Sequence, residues 1–194
     1  MESLQGKLLL ASPAMDDPDF GRAVVLLVEH GAEGALGLVL NKPTDVSVAR
    51  VLPEELTGLV EEKPEEACAL RHGGPCRGPL MVLHRYAPAS QIEVLPGLHF
   101  ATEQELVEAA LREGREPAVT EGRRLLFFAG YAGWGPGQLE GEIAGGAWAL
   151  VGGDAERVFG VDVGTWARLT REVSQANFRD SLNPKIVPPD ASLN

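Results

Sequence analysis

Two cysteines in 194 residues, Cys68 and Cys76, are too few for a disulfide framework, so this chain must be held by a packed core and suits a reducing compartment. Positive charge is scarce as well. Seventeen Lys and Arg against 28 Asp and Glu leave a formal net charge of −11, a field that repels nucleic-acid phosphate and disfavours direct nucleic-acid binding. No apolar run approaches the roughly 18 residues of a membrane helix; Val24 to Val28 and Leu36 to Leu40 are typical of the short ones present. A secretory leader is not expected either. Glu2 spoils a basic start, and Pro13, Asp16 and Asp17 arrive too soon after Leu8 to Ala11. These absences point to a cytoplasmic protein that makes no use of a membrane.

What is present is ordinary globular material, 44% hydrophobic and 23% charged, in a length that buries roughly 70% of its unfolded surface as one domain. The 23 glycines and 14 prolines punctuate short apolar runs, which predicts many short elements joined by tight turns. Leu8 to Leu10, Ala23 to Val28, Leu36 to Leu40, Leu80 to Leu83, Leu125 to Ala129 and Ala147 to Val151 read as strands. The turn His30-Gly31-Ala32-Glu33-Gly34 joins the second and third as a hairpin, and Asn41-Lys42-Pro43 ends the third.

Helices are expected where the period changes. Thr102 and Glu105 form a capping box before Leu106, Val107, Ala110 and Leu111; Gln138 to Ile143 can open another helix. Trp166, Leu169, Thr170 and Val173 make a third apolar stripe. A short solvated helix between Pro53 and Pro64 accounts for the glutamates around Leu56 and Leu59 without a functional role. The expected fold class is therefore α/β (α+β): a mixed, partly antiparallel β-sheet with helices packed on its faces, one compact domain over 1–183 and a mobile tail over 184–194.

Several patterns invite a chemical reading, and each meets a plainer one. Gly130 to Gly137 follows a strand, as phosphate loops do, yet it matches neither the P-loop nor the dinucleotide fingerprint, and Glu140 and Glu142 would repel an anion. Gly31, Gly34 and Gly37 precede a strand where a phosphate site needs a helix. Cys68, His72, Cys76 and His84 supply a zinc inventory at the wrong spacing, so no metal and no cofactor are expected. Ser12 lacks a nucleophile elbow. Glu29 and His30 could serve as an acid/base pair, although adjacent strand residues face opposite sides. Trp134 either plugs the core or offers a flat recognition surface.

Taken together, Ser12-Pro13-Ala14-Met15, Asp19-Phe20, Arg22, Glu29-His30, Gly34-Ala35-Leu36-Gly37, Leu40-Asn41-Lys42-Pro43, Gly73-Gly74-Pro75, Leu83-His84 and Gly130 to Glu140 resemble the YqgE/AlgH family, over roughly positions 6 to 151. The resemblance implies a bacterial cytosolic protein with a mixed sheet flanked by helices, in a family without an established molecular activity. One branch is named for transcriptional regulation, with no helix-turn-helix to carry it. The resemblance also marks Arg22, Glu29, His30, Asn41, His84, Trp134, Gln138 and Glu140 as candidate groove residues without assigned roles. The leading expectation is a non-enzymatic regulatory protein that binds a small ligand or a protein partner. Its rivals are a hydrolase or transferase using His30 or His84 near the Gly130–Gly137 loop, and a DNA-binding regulator using Arg112, Arg115, Arg123 and Arg124.

Overall fold

The computed structural model describes residues 2–59, 69–113 and 125–182, with side chains described to residue 176. A ten-stranded sheet runs in the order β10-β1-β2-β3-β9-β6-β8-β7, with β4 and β5 branching from β9. The strands on its left are β1 (Leu8–Ala11), β2 (Val24–Gly31), β3 (Gly34–Val39) and β10 (Trp148–Val151); on the right lie β6 (Cys76–His84), β7 (Ile92–Leu95) and β8 (Leu98–Ala101). Between them β9 (Leu126–Trp134) pairs β3, β5 (Ala69–His72) and β6, while β4 (Pro43–Ser47) pairs β5. Only β5 and β9 run parallel among these pairs. The expected mixed, partly antiparallel sheet in a single domain is what the chain forms, and most of its pairs are antiparallel.

Period-two alternation assigns each buried strand to two cores. Leu8, Leu10, Val24, Leu26, Val28, Leu38 and Phe128 face Val158 and Phe159 of α4 (Ala155–Phe159) and Leu169 of α5 (Thr165–Leu182). Leu9, Val25, Leu27 and Val39 turn the other way, onto Leu139 of α3 (Gln138–Ala144), Trp134 and Trp148. On the right, Leu70, Val82 and Phe127 pack against Val107, Ala110 and Leu111 of α2 (Gln104–Glu113) and Leu56 of α1 (Glu54–Thr57). Helices therefore cover both faces. The sheet also curls: Gln5 Nε2 donates to the Glu93 carbonyl of β7 at 3.0 Å, which brings Ile92 beside the β2–β3 hairpin.

Two expectations change at this level. The strand expected to stop at Ala129 continues through Gly130 to Trp134, because β3 and β6 supply ladder partners on either side of it. Lys42-Pro43 ends β3 but opens β4 directly. The helix expected between Pro53 and Pro64 is a single turn, Glu54–Thr57, ended at Gly58; residues 60–64 and the boundary expected at 183/184 lie outside the described residues. No helix among the described residues is long and apolar enough to cross a membrane.

Candidate functional site

A bulge in β2 determines how the hairpin presents its side chains. Leu27 pairs Gly37 and Glu29 pairs Leu36, with a register shift between them, so the strand bends at Val28. Glu29 then stands exposed, while the His30 side chain is 1% exposed. His30 Nδ1 accepts from the Leu4 N–H at 3.1 Å, which leaves the ring hydrogen on Nε2 to donate to Glu140 Oε1 at 2.9 Å. The Ser3 hydroxyl donates to the His30 carbonyl at 3.0 Å. His30 is thus a tie between the chain start, β2 and α3.

Trp134, at the end of β9, is held by a second tie. Its Nε1 donates to Glu142 Oε2 at 2.9 Å, and Trp148 Nε1 donates to the same oxygen at 2.9 Å. Gln138 Nε2 donates to Glu142 Oε1 at 2.9 Å, and Gln138 Oε1 accepts from the Gly135 N–H. Burial raises the Glu142 carboxyl, but the bonds donated by Trp148, Trp134 and Gln138 outweigh it and hold the carboxyl below its ordinary range. Phe20 closes the cluster, 6.2 Å from Trp134 and 5.5 Å from Trp148 between ring centroids.

These ties frame an open groove of about 620 Å³ beside the hairpin. Its apolar floor includes Leu36 and Ile92, Trp134 is also among its lining residues, and its edge carries Gln5 and the exposed Glu29 and Glu33. Of the residues marked from the sequence, Glu29, His30 and Trp134 line this groove directly. Glu140 and Gln138 stand behind them through the hydrogen bonds just described.

Arg22 and Asn41 belong elsewhere. Arg22 is the described non-glycine residue with positive φ, +57°, a conformation costing about 1 to 3 kcal/mol unless its surroundings impose it. Asn41 imposes it: Nδ2 donates to the Arg22 carbonyl at 2.8 Å and Oδ1 accepts from the Val24 N–H at 2.9 Å. Both residues line a cavity of about 270 Å³ with Lys42, Val163, Trp166 and Ala167.

His84 is in neither cavity. It is fully buried in β6 beside His99, ring centroids 5.8 Å apart, with Tyr86 N–H on Nδ1 and no hydrogen-bond partner for Nε2. Burial, then the neighbouring His99, lowers its pKa from 6.5 to about 4, offset in part by the Ala89 and Tyr86 backbone. The eight residues therefore divide among a hairpin groove, a second cavity and a buried histidine pair.

The remaining patterns resolve simply. His72 meets Asp19 at 3.1 Å, and Cys76 sits on β6 opposite Tyr131; Cys68 lies outside the described residues, among which no three His, Cys, Asp or Glu could hold a metal. Arg112 is 4.0 Å from Glu108, and Arg115, Arg123 and Arg124 also lie outside. Sequence reasoning missed Glu142, Trp148, Phe20 and Trp166 as site-builders. Gln138 and Glu142 at helical spacing were the local signal; the aromatic partners come together only through the topology.

The AlgH-like family model matches residues 8–176. A UPF0301 protein of Streptomyces coelicolor is 38% identical, over all of this chain and 97% of its own length. Another, of Ruegeria pomeroyi, is 39% identical over 84% of this chain and 88% of its own. Among solved structures, the AlgH protein of Pseudomonas aeruginosa superposes with a TM-score of 0.63 at 31% identity, covering 99% of this chain and 96% of that one.

Proposed function

The chain belongs to the AlgH-like family, and from that premise we propose that it is a cytoplasmic, non-enzymatic regulatory protein that acts by binding. Its ligand is a small molecule or peptide segment carrying positive charge on an apolar frame, held in the hairpin groove. The observation that carries this reading is the pairing of two exposed acidic residues, Glu29 and Glu33, with an apolar floor of Leu36 and Ile92. Carboxylates at a rim attract cations and set orientation, and the floor supplies the area for affinity.

Binding is favoured over catalysis by the state of the histidines. Both His30 nitrogens are spent on Leu4 and Glu140, and His84 lies in β6, separated from β2 by β3 and β9 in the sheet order. The two do not converge as an acid/base pair near Trp134. Regulation would then pass through a bound ligand or partner, with no direct contact to DNA, as the net charge of −11 favours.

The test is a thermal-shift titration with spermidine and with a lysine-rich peptide carrying leucines. Ligands that bind only the native state raise Tm. The expected result is a saturable rise that weakens with salt and disappears in the Glu29→Gln/Glu33→Gln double variant. An equal rise in that variant contradicts the reading.

A further inference from the structure

The second cavity has the opposite chemistry to the groove. It is walled by Arg22 and Lys42, floored by Trp166, Val163 and Ala167, and measures about 270 Å³. We propose that it is a separate binding site for a small ligand bearing a terminal oxyanion, phosphate or carboxylate, on a compact apolar body. The proposal does not depend on the hairpin groove.

Three independent features lead there. The first is backbone: Arg22 holds φ at +57°, where an arginine gains nothing over glycine or asparagine unless its side chain is wanted at that spot. Asn41 spends both ends of its amide keeping it so. The second is the guanidinium itself, whose carbon lies 5.9 Å from the Trp166 ring centroid. Stacking of this kind orients the planar fork and leaves its N–H edge for a bidentate acceptor. Arg22 is exposed, and no carboxylate among the described residues forms an ion pair with it.

The third feature is the support around it. Trp166 is fixed by donating Nε1 to the Ala11 carbonyl at 2.9 Å. Lys42 Nζ donates to the Pro18 and Asp19 carbonyls at 2.9 and 2.6 Å, which leaves one of its three donors uncommitted. The nearest carboxylate in sequence to Val163, Asp162, is engaged by Arg168 at 3.0 Å and by the Gly164 N–H at 2.8 Å. Asp19 directs Oδ1 to His72 at 3.1 Å. Within a strongly acidic chain, the cavity thus gathers two cations while two nearby acids are already satisfied. Val163, 72% exposed, gives an apolar ligand body something to cover.

The experiment titrates the full chain with phenyl phosphate and with benzoate at constant ionic strength, benzyl alcohol serving as the neutral control, and follows tryptophan fluorescence. We expect a saturable change with millimolar half-point for at least one of the two anions and none for the alcohol; which anion binds more tightly identifies the preferred oxyanion. The change should vanish in Trp166→Phe, which locates the reporter. Arg22→Gly should fold at least as stably, since glycine accepts the left-handed backbone, yet bind about tenfold more weakly through loss of the charged fork. Arg22→Lys keeps the charge without the fork and should fall between the two. No saturation with either anion, an equal response to the alcohol, or undiminished binding by Arg22→Gly overturns the proposal.

Discussion

Asn41 follows β3, and its amide serves two backbone groups on the far side of a turn. Replacing it with alanine leaves the Val24 N–H buried without an acceptor, and the expected loss is about 1 to 3 kcal/mol. Urea unfolding of Asn41→Ala checks this; a change below about 0.5 kcal/mol would mean that the turn holds itself. His84 makes a prediction in pH. Its native pKa of about 4 lies below the unfolded 6.5, so the unfolded chain binds the proton first. The stability this histidine contributes is complete above pH 6.5 and falls away as pH drops towards 4, by up to about 3 kcal/mol. His99, paired with it across the ladder, is already part of that lowering. The loss between pH 7 and 4.5, measured by urea midpoints, should shrink by about 2 kcal/mol in His84→Asn. An identical pH profile in that variant contradicts the assignment.

At the scale of elements, α3 is tied to β9 and β10 by one carboxylate, Glu142, shared between two indoles. Glu142→Ala strands three donors, at an expected cost of about 2 to 3 kcal/mol, and releases the tryptophans that give the near-ultraviolet circular dichroism its structure. A retained signal would show that packing alone fixes Trp134. Gly34 makes the complementary point at the hairpin: at φ +125° a Cβ would collide with the Trp134 carbonyl, so Gly34→Ala must push β3 from β9 and lower Tm. These elements were legible to different degrees. β1, β2, β3 and β10 announce themselves by apolar runs and α2 by its apolar stripe, but the capping box expected of Thr102 and Glu105 does not form, because the buried Thr102 hydroxyl has no hydrogen-bond partner among the described residues. β7 and β8, four residues each, are too short for periodicity to show, and β4 is recognisable as a strand only because β5 lies beside it.

Over the whole molecule, the candidate site was legible as residue types and illegible as places. Glu29, His30 and Trp134 meet because β3 bridges the hairpin to β9 and the sheet curls until β7 reaches the chain start. No local pattern encodes that curl. Arg22 and Asn41 share the family motifs with them, yet the β1–β2 connection carries Arg22, and the link from β3 to β4 carries Asn41, to the start of α5. The acidic balance, read from composition alone, has a local counterpart in Glu29 and Glu33 at the groove. The most direct test is a ¹⁵N–¹H NMR titration of the full chain with spermidine at low salt. The account predicts fast-exchange shifts concentrated at residues 29–36, Gln5 and Ile92, saturating together and abolished in Glu29→Gln/Glu33→Gln. Shifts scattered over the acidic surface without saturation, or unchanged in that double variant, would contradict it.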